Sequence, residues 1–414
     1  MKKILLLIAV SGIFLTNGCS DNPEYSALFH TVQGTVIDKY GKAIPGVNAY
    51  IGNYRLTSNA DGQFQFNAIQ DPYDLQLAYT NAAGKRVGIH YTSLFNEKVI
   101  LQLEDYVASS PFSANISLTL PDIPSNSRYL FFISDFRNFT YSNSTTGSVS
   151  SLIINWLDSV NINARVMVLI QNLVTQQYDN YASKPFVLTN NENINITFTS
   201  GDFDFDPSDT PISGNINTAS GFTASGSALS FRFNEGPGLY GSMPAQIGSS
   251  TSNYSFFIPD NLPVNAKYIV SASATNSSVS AIYNTITYTP EFPNADLPLY
   301  APSQQLEPAN NTTGINYDKY FTFTDGGGDG IYKIYLTGTS KQFIIYTRAT
   351  SFRIPNFPYD DLLKIINDES FTWQVYKLID INNVDEWLRM REINQADFDG
   401  ITRSEIYNFT TSSN

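Results

Sequence analysis

From residue 31 onwards, apolar and polar positions alternate at period two in short runs separated by Gly, Asn, Asp, Ser and Pro. Alternation of this kind buries one face of a strand and wets the other, so the pattern predicts half-buried β-strands. Residues 31–105 carry it as Val32-x-Gly34-x-Val36, Val47-x-Ala49-x-Ile51 and Phe64-x-Phe66, with Asp61-Gly62 supplying the positive φ of a tight hairpin. Residues 110–206 continue with Ile116-x-Leu118-x-Leu120 and the runs 129–133, 151–156, 164–170 and 194–198. The run 165–174 reads equally as a buried strand or a buried helical segment, because periodicity does not separate the two. Residues 210–291 hold Ile212-x-Gly214-x-Ile216 and the runs 228–233, 254–258, 268–274 and 281–288. Residues 296–412 hold Tyr320-x-Thr322-x-Thr324, Ile331-x-Lys333-x-Tyr335-x-Thr337 and Phe371-x-Trp373-x-Val375, and end on the run 406–411. Four such groups predict an all-β chain of tandem β-sandwich domains.

Several stretches break the pattern and supply the candidate chemistry. In Asp202-Phe-Asp-Phe-Asp206 the Phe positions predict a closing strand with a solvated acidic face, and residues 207–211 a linker. Calcium is the alternative for these carboxylates, but an extended strand strings them along an edge instead of gathering them. The glycine-rich loop 235–241 lacks a Lys and leads into no helix, so it reads as a long hairpin and not a phosphate cradle. Asp325-Gly-Gly-Gly-Asp329-Gly330 joins two strands. It reads as a glycine turn, with Asp325 and Asp329 as calcium candidates that lack the spacing and closing Glu of an EF-hand. Residues 382–400 form an insertion between the last two strands, and 385–394 predict a short helix with Asp385 and Glu386 at its start. Trp387 and Arg391 then stand four apart on one face and form the candidate binding pair, since an indole can stack on a sugar ring or anchor a partner. The competing expectation folds Trp387 back onto the sandwich core.

The N-terminus has its own logic. Met1-Lys2-Lys3, the apolar run 4–15 and Thr16-Asn17-Gly18-Cys19 read as a secretory leader (1–18), too short to span a bilayer, followed by a tether (19–30). The chain's one Cys directly after the leader resembles the lipobox of bacterial lipoproteins, although Thr16 stands where that family prefers Leu. The resemblance implies a lipid on Cys19 and attachment to a membrane. Ser20-Asp21-Asn22 resembles the acidic export signal of Bacteroidetes surface lipoproteins, which implies the outer membrane and the cell surface. Residues 31–105 resemble the carboxypeptidase regulatory-like domain, a transthyretin-like sandwich, through Tyr40-Gly41-Lys42, Pro45-Gly46 and Asp61-Gly62-x-Phe64. Residues 296–412 resemble a fibronectin type III domain through Pro298-x-Tyr300-x-Pro302 and the closing Phe409-Thr-Thr411. Both resemblances imply accessory, spacing or adhesive roles. Asp158-Ser159-Val160 resembles the O-glycosylation sequon of the same bacteria.

Composition narrows the function classes. A net charge of −13 repels phosphate backbones and excludes nucleic acid as a partner. One Cys permits no intramolecular disulfide, and two His cannot build a typical zinc site. No P-loop or serine-hydrolase elbow occurs, and nothing calls for a cofactor. The sequence therefore points to a non-catalytic, membrane-anchored lipoprotein whose modules bind, adhere or act as spacers, with a surface protein or glycan as partner. A glycan-binding accessory of an outer-membrane importer is the alternative, and a hydrolase using scattered carboxylates is the third reading.

Overall fold

The computed structural model describes residues 29–38, 41–103, 105–106, 112–134, 139–145, 148–156, 160–233, 242–249, 251–259, 266–276, 282–288, 295–392 and 400–412. The chain is all β, built as tandem sandwiches, with a single α-helix, Val384–Glu392, among the described residues.

The first three sandwiches share one wiring plan. In the first, Phe29–Asp38 lies between Gln63–Gln70, antiparallel, and Lys98–Leu103, parallel. The facing sheet runs Tyr54–Thr57, Asn48–Ile51, Tyr73–Thr80, Arg86–Leu94. In the second, Phe112–Thr119 lies between Ser148–Trp156 and Asn193–Thr197, against Phe139–Ser144, Ser127–Ser134, Asn161–Asn172 and Tyr178–Thr189. In the third, Asp209–Thr218 lies between Asn253–Pro259 and Leu297–Leu299, against Ser242–Gly248, Thr223–Phe233, Ala266–Thr275 and Ile282–Tyr288. Counted within each sandwich, the strand order is 4-1-7 facing 3-2-5-6 every time.

The echo between Val32-x-Gly34-x-Val36 and Ile212-x-Gly214-x-Ile216 has a physical cause. Gly34 pairs with Phe64 and Gly214 with Tyr254. A Cβ on Gly34 would lie 1.9 Å from the Phe64 ring, and one on Gly214 would lie 2.7 Å from the Tyr254 ring. In both sandwiches a cross-strand aromatic ring covers a glycine in the first strand, and that glycine cannot carry a side chain.

Several expectations need correcting. The run 165–174, left open between strand and helix, is strand as far as Asn172, where alternate side chains fill two different cores, and turn beyond it. Residues 202–206 form no closing strand: Ser200–Asp202 is a 3-10 turn, and Phe205 makes one isolated bridge to Tyr181. The expected linker at 207–211 runs into the strand Asp209–Thr218. Leu297–Leu299, expected to open the fourth sandwich, instead closes the third through its parallel pairing with Asp209–Thr218. The loop 235–241 and the sequon's Asp158 and Ser159 lie outside the described residues.

The fourth sandwich is wired differently. Gln305–Glu307, Phe321–Phe323 and Ser351–Phe352 make one sheet. Lys341–Thr347, Gly330–Gly338 and Ser370–Ile379 make the other, flanked by Gly400–Arg403 and Tyr407–Thr411. Trp373 is fully buried between them, with Phe321 and Phe352 against its ring.

The tandem sandwiches are joined out of sequence order as well as in it. The sixth strand of the first, Arg86–Leu94, pairs in parallel with Lys341–Thr347 of the fourth. The sixth strand of the third, Ile282–Tyr288, pairs with Gly400–Arg403 of the fourth. The fourth sandwich thus joins equivalent edges of the first and third into one continuous 14-stranded sheet. The equivalent edge of the second, Tyr178–Thr189, pairs with no strand of another sandwich among the described residues. It is blunted by the Phe205 bridge, by Pro185, and by Lys184 reaching the Thr197 carbonyl and the Asp202 carboxylate. The second sandwich instead lays Met167, Leu169 and Tyr178 against Phe231 and neighbouring core residues of the third.

Candidate functional site

Two features of the first and fourth sandwiches bear on function: the seam that joins them and the clefts beside it. The seam is a built interface. Beyond its strand ladder, the Arg86 guanidinium holds Asp360, whose side chain is 5% exposed, with Nε 3.1 Å from Oδ2. Thr92 Oγ1 donates to the Tyr346 carbonyl at 3.1 Å, and Tyr91 stacks on Tyr346 with centroids 5.0 Å apart. Gly88 admits the Phe357 ring, which a Cβ there would meet at 2.7 Å. At one end, Lys85 Nζ donates to the Gly338 carbonyl at 2.9 Å.

The Val384–Glu392 helix, within the 382–400 insertion where a short helix was expected over 385–394, secures the other end. Asp385 accepts the backbone N–H groups of Phe95 and Asn96 at 2.9 and 3.1 Å. Burial holds its carboxyl above the usual carboxylate range, and these two N–H donors act against that shift. The Trp387 ring is 5% exposed and stacks on Tyr346 at 6.2 Å. The indole is therefore part of the core shared by the first and fourth sandwiches and offers no face to a ligand. Arg391 lies on the same helix, but its side chain is outside the described set. Cys19 lies outside the described residues as well.

The glycine turn 325–330 holds a cation of the protein's own. Lys377 Nζ sits 2.6 Å from Asp325 Oδ1 and also donates to the backbone carbonyls of Asp325 and Gly328. The Tyr332 hydroxyl donates to the same carboxylate oxygen. These two donors pull the Asp325 carboxyl below the usual range. Asp329, the other calcium candidate, contributes its backbone carbonyl to the Asp380 N–H. The ammonium occupies the position among these oxygens that a metal would need, and no cluster of three or more metal-ligating side chains occurs among the described residues. Sequence spacing did not pair Lys377 with Asp325 because the two are 52 positions apart.

The two His residues also meet carboxylates that their spacing hid. His90 Nε2 lies 3.1 Å from Asp74 Oδ2, which is drawn below the usual range by His90 and the Ser93 N–H. His30 Nε2 lies 3.4 Å from Asp71 Oδ1, and neither buried atom meets hydrogen-bond geometry with a partner among the described residues.

Three clefts open on these two sandwiches. The first, of about 490 Å³, lies on the outer face of the sheet formed by Gly330–Gly338, Ser370–Ile379 and Tyr407–Thr411. Its lining residues are Thr, Ser, Asn, Gly and Phe, none ionisable. The second, of about 420 Å³, sits at the helix start beside Asp385, Glu386 and Arg389. Its acidic groups are already engaged: Asp385 as above, and Glu386 by Asn382 N–H at 2.7 Å. The third, of about 400 Å³, lies on an amide-rich face of the first sandwich, where Gln33 bonds Gln65 at 3.2 Å and Gln65 bonds Asn67 at 3.0 Å. No described helix is long and apolar enough to cross a membrane.

No known protein family matches the sequence. No curated protein matches it either. Among solved structures, the Bacillus anthracis TIE protein is 9% identical over 65% of this chain, with a TM-score of 0.16. The match covers 49% of that protein, so this chain spans about half its length. A putative adhesin from Bacteroides ovatus is 11% identical over 43% of this chain and 82% of its own, with a TM-score of 0.14. The chicken CNTN1 FN1–FN3 domains are 8% identical over 93% of this chain and 96% of their own, with a TM-score of 0.16.

Proposed function

We propose that the chain is a non-catalytic surface lipoprotein, held to a membrane through Cys19, whose four sandwiches form one scaffold for binding or adhesion. The observation that carries the reading is the fate of the acidic groups in the fourth sandwich and its helix. Asp325, Asp360, Asp385 and Glu386 are each tied to a named structural partner, and the cleft on the outer face of the fourth sandwich is lined by no ionisable residue. General acid–base chemistry needs a titratable group facing the ligand, and that cleft supplies none. The leader and Cys19 support the anchor, since two or more acyl chains hold a protein stably at about 0.8 kcal/mol per buried CH₂. Expression of wild type and Cys19→Ala in a diderm bacterium, followed by membrane fractionation and protease shaving of intact cells, tests it. Wild type should sediment with membranes and be shaved, and Cys19→Ala should be soluble. A variant that stays on the membrane refutes the anchor, and glycoside or peptide hydrolysis by purified wild type refutes the non-catalytic reading.

A further inference from the structure

The uncharged cleft of the fourth sandwich differs from the other two in what its side chains are doing. Strand pairing sets Thr337, Thr372 and Asn408 in one row across three strands, and Ser370 and Thr410 in a second. Between the rows, Gly338, Phe371 and Phe409 are buried, so alternation leaves backbone between two lines of polar groups. The rows are about 6.8 Å apart along the strands, and neighbours within a row about 4.8 Å apart across them. Thr339, Ser370, Thr410 and Asn311 make no side-chain hydrogen bond among the described residues. The amides of the third cleft, by contrast, satisfy one another. Next to the lining residue Ser370 in sequence, the Glu369 side chain is 11% exposed and paired with Lys341 at 3.1 Å.

The cleft is also well placed. Arg86–Leu94 runs from the cleft end of the seam, where Lys85 meets Gly338, to the end where Tyr73 pairs with Leu94. Phe29, the first described residue, pairs with Gln70 at that second end, close to Tyr73 through the His30 ring. A nine-residue strand spans about 30 Å. The cleft therefore lies at the pole away from the point where the chain enters the first sandwich.

We propose that this cleft binds a neutral glycan chain. Thr337, Thr372 and Asn408 of the first row already make side-chain hydrogen bonds, to Gln342, the Thr337 carbonyl and Asn310. Ser370, Thr410, Thr339 and Asn311 are therefore the groups left to exchange hydrogen bonds with sugar hydroxyls, and they offer no counter-charge to a polyanion or an ionised peptide side chain. The inference deepens the surface-binding reading and rests on it for the direction the cleft faces.

The test uses detergent-solubilised full-length protein on immobilised dextran, mannan and laminarin, with heparin and polygalacturonate as charged counterparts. Wild type is expected to be retained by at least one neutral polymer and by neither charged one. Ser370→Trp, which fills the cleft from an exposed position, should weaken retention at least tenfold. Thr410→Val, which removes one hydroxyl, should weaken it about threefold to tenfold. Gln65→Ala on the first sandwich should leave it unchanged, and thermal melts check that each variant folds. The inference is overturned by no retention on any neutral polymer, by stronger retention on the charged ones, or by equal retention of Ser370→Trp. Membrane fractionation of the same samples separates the two ideas: loss of sedimentation with retained glycan binding refutes only the anchor.

Discussion

Replacing Lys377 tests the claim that the glycine turn is organised by an internal ammonium. Its side chain is 2% exposed, whereas the Asp325 side chain is 69% exposed. Lys377→Met keeps a long apolar stem but removes the charge and all three donors. The carboxylate left behind is wet and re-solvates, so the penalty comes mainly from the Asp325 and Gly328 carbonyls that lose their donor. Hydrogen bonds to charged groups contribute about 1.5–3 kcal/mol each, and water recovers part of that at this half-open site. We expect a loss of about 3 kcal/mol. Asp325→Asn should cost more, about 3–5 kcal/mol, because it strands a buried ammonium without its counter-charge.

The assay is thermal unfolding followed by tryptophan emission. Trp373 and Trp387 are both buried in the cores of the first and fourth sandwiches and report the part of the chain that contains the turn, while Trp156, buried in the second sandwich, adds a transition that Lys377→Met should leave in place. A unit of that size shifts its midpoint by about 2–4 °C per kcal/mol, so Lys377→Met should melt about 6–12 °C lower. Asp329→Asn should melt with wild type. Millimolar calcium and EDTA should leave both the wild-type and Asp329→Asn midpoints in place. A Lys377→Met midpoint within 2 °C of wild type, or a midpoint that rises with calcium, refutes the reasoning.

Other expectations follow from the same geometry. Gly34→Ala should cost about 1–3 kcal/mol by forcing a Cβ against the Phe64 ring, and Phe64→Leu in the same chain should recover part of it, read by urea unfolding. Trp387→Ala should cost about 3–5 kcal/mol and leave glycan retention unchanged, because the ring lies in the core and not at a binding face. Arg86→Ala strands the buried Asp360 and should expose the seam to limited proteolysis at protein concentrations where wild type resists. In acid, the Asp202 carboxyl is pulled down to about 2 by the Thr199 N–H and Lys184, and Asp325 and Asp296 are lowered too. Folded values below the unfolded ones mean that this stabilisation is present above pH 4 and disappears between about pH 4 and 2. Thermal melts followed by circular dichroism should show the midpoint falling as pH drops across that window, and Asp202→Asn should flatten that dependence.

Much of the fold was legible because strand period and turn chemistry are local. Val32-x-Gly34-x-Val36 and Phe371-x-Trp373-x-Val375 each announce a strand from neighbours alone, and the structure places them so. The Asp61-Gly62 turn, expected to close a hairpin, instead crosses from Tyr54–Thr57 in one sheet to Gln63–Gln70 in the facing one. The helix at Val384–Glu392 was legible from its acidic start. What stayed hidden depends on partners far along the chain. The fate of Trp387 is decided by Tyr346, and that of Asp325 by Lys377. Residues 202–206 misled for a related reason. Their Phe spacing satisfies a strand, but the Thr199 N–H and Lys184 capture Asp202 and turn the chain before a ladder can form. The three-fold wiring was half visible, since Gly34 and Gly214 mark the same place, but the second sandwich has no glycine there and breaks the echo.

The seam raises a question of energetics that the strand pattern alone would not pose. Thr92 and Tyr346 meet across 254 positions, and closing a flexible loop of that length costs about 5 kcal/mol in chain entropy. The intervening chain is not flexible once the second and third sandwiches have folded. They pack on each other through Met167, Leu169 and Tyr178, and the third offers its own sixth strand to the fourth. Much of the closure cost is then met before the Arg86–Leu94 edge is reached, and the fourth sandwich arrives with a prepared strand on each side. The edges it joins are those that carry no blunting proline, whereas Tyr178–Thr189 carries Pro185 and is bridged by Phe205. Three copies of one wiring plan expose three equivalent edges, and the sequence leaves open the two that the fourth sandwich uses.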